Sequence, residues 1–470
     1  MSAALPAPPA PRPNLLQDAP RIASLAWPLF VGQLAVLAFS TVDTVLVARY
    51  SAEDLAALAI GSAVYVTVFV GFMGVVLAIG PIAGQLYGAR QWREAGEQLH
   101  QSIWLALGLS VIGCVVLLWP EPFLALSHAQ PAVAEKVRSY LLGLALALPS
   151  ALVFTAFRGF NTAVSRPKIV MALQFGALLL KVPLSGLLVF GLDLPTRWGT
   201  LHLPAGGAAG CGVATAVVMA LQLAAAWWVL RRDPFYRSFG LHERYLAPPQ
   251  RASLAALLRL GVPMGLSIGI EVTGFTFMAF FIARLGATAV AGHQIAVNMV
   301  SIMFMMPLAL ANATATLVAQ SIGADARHEA RRIGWHGLQL GLLIAAAMGA
   351  TVYLLREGLM RLYTNDAVII AAAMPLLAWV ILFHIADAAQ TIASFTLRAY
   401  KVATAPVIIY ASAIWGVGLG GGYTVAFDTS GLGPAALRGA QGFWSAATAG
   451  LTLAALGLCG FLLWMLRQRR

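Results

Sequence analysis

Three acidic side chains interrupt long apolar stretches of the sequence. Asp43, Glu271 and Asp387 are each surrounded by apolar residues, whereas the other acidic residues among the 18 lie in loops, in the N-terminal tail or at the ends of apolar runs. A charged side chain at the centre of a bilayer costs at least about 2.5 to 3.5 kcal/mol, and a bound proton or cation is the usual compensation. We interpret the three acids as cation-coupling residues, with structural hydrogen bonding as the alternative for each acid taken singly.

Two of these acids are predicted to share one site. Glu271 lies twelve residues after Arg259 and Asp387 lies eleven residues before Arg398, so in helices both would sit about 17 Å from the same membrane edge. Two carboxylates in a low-dielectric site repel each other, which favours one proton or one metal cation between them. Glu271 and Asp387 are therefore the predicted metal ligands, for Na+ if the protein is Na+-coupled. His384, one turn before Asp387, is either a proton relay or a buried, hydrogen-bonded histidine.

The composition indicates an integral membrane protein. Of the 470 residues 60% are hydrophobic and only 10% are charged, against about 25% charged in an ordinary globular domain. The formal charge of +12 comes from Lys and Arg scattered between apolar runs, without the long basic block that is typical of nucleic-acid binding. The 3 cysteines each lie within an apolar run, which favours packing residues over a disulfide framework.

Charge-poor stretches long enough to cross the bilayer recur twelve times along the chain. Backbone polar groups in lipid have to be satisfied within their own segment, so these stretches predict an all-α membrane protein with twelve transmembrane helices. An even number of spans places both termini on one side, and the loops on that side hold twenty of the 30 Lys and Arg residues, Arg398 among them. This excess of basic residues predicts that both termini are cytoplasmic.

The sequence contains an internal repeat. A shift of 235 residues aligns the first two predicted spans with the seventh and eighth, for example Pro28 with Pro263 and Gln85 with Gln320. Because each half has six spans, we predict two six-helix bundles related by a parallel internal repeat, as in transporters that rock around a central site. A duplicated scaffold without transport is the alternative. The predicted units are a disordered cytoplasmic leader (1–20), an N-lobe with helices 1–6 (21–232), a cytoplasmic connector (233–255) and a C-lobe with helices 7–12 (256–470).

Motifs of other function classes are missing from the sequence. It has no GxxxxGK[ST] phosphate loop, no HExxH zinc helix and no GxSxG elbow, and the embedded acids lack a nucleophile partner. We therefore expect no ATP-driven pumping, no enzyme activity and no cofactor. Phe and Met residues crowd the seventh and eighth spans, Phe275 and Met278 among them. They suit either a cavity for organic cations or ordinary packing.

Five segments together resemble the multidrug and toxic compound extrusion (MATE) family, in particular its bacterial NorM-like branch. They are WPLFVGQLAVLAFSTVDTVLVAR in the first span, GPIAGQLYGAR after the second, GAAGCGVAT opening the sixth, IEVTGFTFMAFFIARLGATAVAGHQIA in the seventh and IADAAQTIASFTLRAYK in the tenth. The resemblance covers nearly the whole chain after the leader. It implies two lobes of six helices and the export of cationic or lipophilic compounds in exchange for Na+ or H+.

The resemblance also implies roles for individual residues. It places the N-lobe acid of the family at Asp43 and its C-lobe cation pair at Glu271 and Asp387, in agreement with the depth estimated from helix geometry. In the eighth span Gln294 matches a family glutamine beside the cavity, and Phe304 stands where some relatives have a tyrosine. The candidate cavity and substrate residues are Gln294, Asn298, Phe304, Phe275 and Met278.

The fifth span departs from the family pattern. Relatives often read Asn, x, Pro, x, Asn where this chain has KVPLS, from Lys181 to Ser185. A fixed cation there opposes a second cation, which argues against Na+ binding in the N-lobe, so we treat Lys181 and Ser185 as modulators of Asp43. Helix counting places Lys181 about 20 Å from Lys168, which marks the cytoplasmic end of the fifth span. It places Asp43 only about 9 Å from Arg49, at the opposite end of the first span. The two depths are not obviously equal, so counting alone does not pair Lys181 with Asp43.

The predicted function is secondary active multidrug efflux by alternating access, carried out by a monomer in the bacterial inner membrane. The predicted partners are small-molecule drugs, organic cations and the lipid bilayer, with H+ or Na+ as the coupling ion and no nucleic acid. A flippase of lipid-linked precursors is the nearest alternative, and a membrane-embedded enzyme is a weaker one. A flippase calls for a basic cavity, and Lys181 is the only basic residue deep within a predicted span.

Overall fold

The computed structural model describes residues 14–127, 130–196, 199–242, 246–429, 431 and 434–468. Twelve helices in this part of the chain are long and apolar enough to cross a membrane, which confirms the predicted number and the all-α class. We number them in chain order as α1 Leu15–Tyr50, α2 Ala52–Gly88, α3 Trp92–Leu118, α4 Pro131–Ala163, α5 Pro167–Phe190, α6 Gly207–Arg232, α7 Arg251–Ala283, α8 Ala287–Gly323, α9 Arg327–Leu354, α10 Ala367–Ala399, α11 Thr404–Ala426 and α12 Ala440–Gln468.

The first helix begins earlier than predicted. Because α1 starts at Leu15, the leader that was expected to be disordered through residue 20 overlaps this helix. The cause is a side-chain contact, since Asp18 is only 4% exposed and binds two residues of α9. Its Oδ2 atom lies 2.9 Å from Arg332 Nε and 2.6 Å from His336 Nδ1. Residues 1–13 of the predicted leader lie outside the described residues.

Two of the spanning helices are interrupted. Helix α2 consists of Ala52–Val76 and Ile79–Gly88, and helix α11 contains a π-helix over Ala411–Gly421. Glycines are frequent in the π-helical stretch ASAIWGVGLGG, and glycine weakens the regular α-helix by about 1 kcal/mol relative to alanine. The wider turns begin directly after Tyr410, and π-helical turns often lie at functional sites.

The buried apolar side chains form one large cluster mainly in each half of the chain and a third cluster between the halves. One cluster of buried side chains joins α2, α3, α4, α6 and the connector, with Phe160 and Tyr236 near its centre. A second cluster joins α7, α8, α10, α11 and α12 around Phe383 and Trp444. A third cluster packs Ile22, Ala26 and Leu29 of α1 against α8 and α9, so burial of apolar side chains also holds the two halves together.

The two lobes meet on the side of the membrane that holds the chain termini, which we call the terminal side. The Gln85 side-chain amide donates a hydrogen bond to the carbonyl oxygen of Ala399, at the end of α10, over 2.8 Å. The Gln320 amide donates to the carbonyl oxygen of Ala163, at the end of α4, over 2.7 Å. Since Gln85 and Gln320 are equivalent positions of the repeat, each lobe forms the same bond to the other.

Two glycines allow this close approach of the lobes. A Cβ atom at Gly88 would lie 1.9 Å from the carbonyl oxygen of Gln320, and one at Gly323 would lie 1.8 Å from that of Gln85. Any other residue would therefore force the backbones apart. The Arg21 guanidinium of α1 also binds Glu329 of α9, at 2.6 Å, across this interface between the lobes, which we call the seam. These contacts close the cleft between the lobes at the terminal side.

A short β-hairpin joins α5 to α6 on the opposite side of the membrane. Strand β1, Leu192–Thr196, pairs antiparallel with strand β2, Gly199–Leu203, and Leu194 is opposite Leu201. The sequence analysis did not predict this hairpin. Its leucines alternate with other residues, which is a strand pattern, but a search for apolar runs of about 20 residues does not detect so short an alternation.

The connector between the lobes folds against the N-lobe. Residues Pro234–Phe239 form a 3-10 helix, Asp233 binds Arg166 at 2.6 Å, and the Gln101 amide donates to the carbonyl oxygen of Pro248 over 2.9 Å. Because α7 begins at Arg251, the last residues of the predicted connector, which was expected to run to 255, already belong to this helix.

Candidate functional site

The N-lobe acid forms a buried ion pair. Asp43 of α1 is 7% exposed, and its Oδ2 atom lies 2.9 Å from the ammonium nitrogen of Lys181 on α5, which is fully buried. The Ser185 hydroxyl, one turn further along α5, donates to Asp43 Oδ1 over 3.2 Å. The structure therefore brings together the three residues that the sequence analysis singled out in this lobe.

The pairing of Asp43 with Lys181 was the relation that helix counting did not predict. Counting places only the Cα atoms, whereas the four-carbon stem of lysine lets its ammonium reach a different depth. The ammonium has further partners on α6: it donates to the Thr215 hydroxyl over 2.5 Å and to the Cys211 carbonyl oxygen over 3.4 Å. An ammonium has three protons, so Asp43, Thr215 and Cys211 provide one acceptor for each.

Thr215 and Cys211 were not identified as site residues from the sequence. Both lie in the segment GAAGCGVAT, which carried part of the family resemblance but had no assigned role. Glycines in this segment allow α6 to lie against α4, since a Cβ atom at Gly143 would be 2.6 Å from the carbonyl carbon of Gly212. This close packing holds the acceptors of α6 next to Lys181.

The two C-lobe acids lie at one site, as their predicted depths indicated. Glu271 is on α7 and Asp387 is on α10, and one side-chain amide connects them. The Gln390 Nε2 atom donates to Glu271 Oε1 over 3.1 Å and to Asp387 Oδ1 over 2.9 Å. Asp387 is 5% exposed and Gln390 is fully buried, whereas Glu271 is half-buried.

Gln390 and Tyr410 are site residues that the sequence analysis missed. The Tyr410 hydroxyl on α11 donates to Gln390 Oε1, which orients the amide so that its nitrogen faces the two acids. Gln390 lies three residues after Asp387, on the same face of α10. That spacing is the signal that could have identified it, although a neutral amide in an apolar segment is far less conspicuous than a charge.

Arg398 does not lie in a loop on the terminal side, where the sequence analysis placed it. Helix α10 continues to Ala399, and the arginine is only 4% exposed in its last turn. Its guanidinium lies over the ring of Phe395, with 4.4 Å between its central carbon and the ring centre. Arg398 was counted among the basic loop residues that indicate the cytoplasmic side. Because the helix continues past it, Arg398 is instead a buried charge.

His384 is buried, but it is not the hydrogen-bonded histidine that was given as the alternative to a proton relay. Within the described part of the chain neither ring nitrogen has a hydrogen-bond partner. Its ring packs at the core of the C-lobe, where it is fully buried one turn before Asp387. No hydrogen bond among the described residues connects it to the acid pair.

The predicted cavity residues divide into exposed and buried ones. Gln294 and Asn298 are exposed on one face of α8, and Asn298 accepts a hydrogen bond from the Tyr363 hydroxyl over 2.9 Å. Phe304 is half-buried, and Phe275 packs edge-on against Phe383 with ring centres 5.8 Å apart. Met278 is 4% exposed within the core of the C-lobe, which favours packing over a cavity surface. Its residue type and position suit packing, which was the alternative.

The chemistry of the two acid sites differs because of their charges. Asp43 and Lys181 neutralise each other, whereas Glu271 and Asp387 share a neutral amide donor. Carboxylate oxygens are hard ligands, which suit H+ or a hard cation such as Na+ better than a transition metal. The described residues contain no group of three His, Cys, Asp or Glu side chains that could hold a metal ion.

A family model named MatE matches residues 28–187 and 263–424, which are corresponding stretches of the two halves. The chain belongs to the MatE family. Within this family it is 38% identical over 453 residues to the probable multidrug resistance protein NorM of Aromatoleum aromaticum, covering 94% of this chain and 93% of the relative. It is 32% identical over 437 residues to the multidrug resistance protein PmpM of Pseudomonas aeruginosa, covering 93% and 89%.

A solved structure of a MatE-type protein shares the fold. The eukaryotic MATE transporter AtDTX14 superposes with a TM-score of 0.83 at 17% identity, covering 97% of this chain and 99% of that one. The predicted family, the NorM-like resemblance and the twelve-helix architecture are thereby confirmed. As a MatE protein the chain is a multi-pass membrane transporter and not an enzyme.

Proposed function

We propose that this MatE protein is a secondary active multidrug exporter that exchanges cationic or lipophilic compounds for H+ or Na+. Its relatives are named multidrug resistance proteins, which supports the substrate class. The observation that carries the coupling is the pair Glu271 and Asp387 around one shared amide. Two carboxylates so close together in a buried site favour the uptake of one cation.

We assign the coupling ion to the C-lobe. In the N-lobe, the Asp43 carboxylate already has a resident cation, because Lys181 binds it at 2.9 Å and is fully buried. A second cation there would be repelled at short range. Asp43 therefore serves the transport cycle through its pair with Lys181, and Glu271 and Asp387 bind the ion that drives export.

The transport cycle follows from the closed terminal side. With both termini in the cytoplasm, the hydrogen bonds of Gln85 and Gln320 seal the cleft on the cytoplasmic side, and the lobes separate toward the outside. Ion binding at Glu271 and Asp387 favours this outward-open state and weakens the binding of drug. The drug is released outside, and the return to the inward-open state delivers the ion to the cytoplasm. One chain in the bacterial inner membrane performs the cycle.

A flippase of lipid-linked precursors fits the N-lobe less well. Such a substrate carries a pyrophosphate and needs free basic side chains in the cleft. Lys181 was the candidate for this role, but its ammonium is fully buried and binds Asp43, Thr215 and Cys211. It is therefore not available to an anionic headgroup.

The proposal is tested by dye efflux from proteoliposomes under a pH gradient and a Na+ gradient imposed separately. We expect one of the two gradients to drive export of ethidium, and Glu271→Gln or Asp387→Asn to lower the gradient-driven rate at least about tenfold. Glu357→Gln is the matched control, since Glu357 is an exposed acid of the same lobe. Coupled export that persists in both acid variants would exclude the C-lobe pair as the coupling site.

A further inference from the structure

The side chain of Arg398 points into the membrane rather than out to water. Side chains of an α-helix lean toward its N-terminus, which for α10 lies beyond Asp387 on the opposite side of the membrane. In agreement, the guanidinium lies above the ring of Phe395, at 4.4 Å, three residues earlier in the helix. The residue is 4% exposed even though the helix ends one residue later, at Ala399.

Arg398 ends a buried polar stripe that begins at the acid pair. The stripe consists of Asp387, Gln390, Ser394 and Arg398, which follow each other at intervals of three, four and four residues. These intervals place them on one face of α10. Their exposed fractions are 5%, 0%, 0% and 4%, so the face is covered along its whole length. A continuous line of buried polar groups therefore connects the acid pair with Arg398.

The polar groups at this end of the stripe are short of partners. Arg398 Nη1 and Ser394 Oγ are buried, and neither has a hydrogen-bond partner in the described part of the chain. An unpaired buried guanidinium is strongly unfavourable unless a nearby negative charge compensates for it. The acid pair supplies this charge: eleven residues of helix place the Asp387 Cα about 16 Å from that of Arg398, and the arginine side chain leans back over part of that distance. The negative charge of Glu271 also acts favourably on Arg398. The positive charge of Arg398 therefore counts toward the net charge of the C-lobe acid site.

The two acid sites differ in net charge. In the N-lobe, Asp43 and Lys181 give a net charge of zero. In the C-lobe, Glu271 and Asp387 together carry two negative charges and Arg398 carries one positive charge, which leaves a single negative charge. A buried site with one excess negative charge is neutralised by one monovalent cation and is overcompensated by a divalent one.

We propose that Arg398 is the resident counter-cation of the C-lobe site and limits it to one monovalent coupling ion. It is a positioning and specificity-determining residue, because it acts on the ion through Glu271 and does not bind the ion itself. The inference rests on the proposed function of Glu271 and Asp387 as the coupling site. It makes this lobe the counterpart of the N-lobe, where Lys181 already neutralises Asp43.

Removal of this charge should strengthen cation binding. At an effective dielectric constant of about 20, one charge about 10 Å away contributes about 1.7 kcal/mol, which is more than a tenfold change in ion affinity. We expect Arg398→Gln to lower the half-saturating concentration of the driving ion at least about tenfold in ethidium exchange by proteoliposomes. Arg398→Lys, which keeps the charge, should stay within about twofold of the parent protein. Lys401→Gln removes the same charge from an exposed residue of the following loop and should also stay within about twofold.

The outcomes separate this inference from the proposed function. If Glu271→Gln abolishes coupling but Arg398→Gln binds the ion as the parent does, Arg398 is not the counter-cation and the coupling site stands. If Glu271→Gln and Asp387→Asn both keep coupling, the proposed function itself fails. If Arg398→Gln does not fold, a measurement on the parent protein still tests the proposal. The reversal potential of ethidium exchange should give one coupling ion per dye, and two ions per dye would overturn the proposal.

Discussion

At the residue scale, the N-lobe site is defined by the ion pair between Asp43 and Lys181. A buried pair contributes little by itself, because desolvation of both charges offsets their attraction, but the loss of one partner is strongly destabilising. The sequence run KVPLS replaces two neutral amides of the family pattern by an ammonium and a hydroxyl. A covalently attached cation, the Lys181 ammonium, therefore stands where the family pattern has a neutral amide.

Substitution of Lys181 should reveal that exchange. We expect Lys181→Asn to lower the free energy of unfolding by about 3 to 5 kcal/mol in the absence of Na+, because Asp43 is left buried without its counter-ion. Na+ should restore part of this stability in the variant and have no such effect on the parent protein. Thermal unfolding in detergent, with Na+ or with choline, measures both effects.

The double variant Asp43→Asn, Lys181→Met provides the control for Lys181→Asn. It removes both charges together, so its stability should lie close to that of the parent protein and should not depend on Na+. Equal stability of Lys181→Asn and the parent without Na+ would contradict the importance of the ion pair.

The orientation of the Gln390 amide is the second property at this scale. Because the Tyr410 hydroxyl donates to Gln390 Oε1, Tyr410→Phe frees the amide to rotate away from the acids. One hydrogen bond of this kind contributes about 1 kcal/mol, so we expect the half-saturating concentration of the driving ion to change about fivefold. Tyr423→Phe on the same helix is the control, since Tyr423 packs against Phe281 outside the acid pair. Unchanged ion dependence in Tyr410→Phe would show that the amide needs no such support.

The sequence identified most of the charged residues of the two sites and missed most of the neutral ones, as well as the burial of Arg398. Asp43, Glu271, Asp387 and Lys181 stand out because a charge in an apolar segment needs compensation. Gln390, Thr215 and Tyr410 do not stand out, because neutral polar side chains are common in membrane helices and their roles depend on which helices are neighbours. That neighbourhood is a property of the fold.

At the scale of the elements, the close packing of α4 on α6 supports the N-lobe site. The two helices approach where Gly143 faces Gly212, and this places Thr215 and Cys211 next to Lys181. We expect Gly143→Ala to lower the free energy of unfolding by about 1 to 3 kcal/mol, since its Cβ atom would lie 2.6 Å from a backbone carbon.

Gly108→Ala on α3 is the matched control for this packing. A Cβ atom at Gly108 meets no atom within 4 Å, so alanine there should leave stability unchanged or raise it by up to about 1 kcal/mol. Thermal unfolding of both variants decides the question. If both substitutions have the same effect, the approach of α4 to α6 does not support the site.

The number of helices was predictable, but several of their ends were not. Apolar length fixes the count of spans, because every crossing needs about 20 apolar residues. It does not fix where a helix continues beyond the hydrocarbon. Asp18 extends α1 through its contacts with α9, and Arg398 is buried because α10 runs on to Ala399. Both extensions depend on tertiary contacts that composition does not contain.

At the scale of the whole molecule, the seam between the lobes is closed by backbone approach at two glycines. Because a Cβ atom at Gly88 or Gly323 would lie within 2 Å of a carbonyl oxygen of the other lobe, even alanine cannot be accommodated without separating them. We expect Gly88→Ala with Gly323→Ala to open the terminal side and to reduce ion-driven export at least about tenfold. Spin labels at Gln91 and Arg327, which are exposed in different lobes, should report a longer and broader distance distribution.

Gly80→Ala is the control for the seam, because a Cβ atom there meets nothing within 4 Å. It should leave both the distance distribution and the export rate unchanged. An unaltered distance distribution in the double glycine variant would show that the seam tolerates the added atoms and that the lobes are held by other contacts.

Helix α10 carries both the proposed ion-binding residues and one of the hydrogen bonds between the lobes. Asp387 and Gln390 lie in the middle of α10, and its end presents the Ala399 carbonyl to Gln85 of the N-lobe. Twelve residues of a stiff rod, about 18 Å, separate the two points. A small tilt of α10 on release of the proposed ion would therefore displace its end, where the Ala399 carbonyl accepts the bond from Gln85. The equivalent bond from Gln320 ends on α4, which carries none of the proposed ion-binding acids, so under the proposed coupling the movement would begin in the C-lobe.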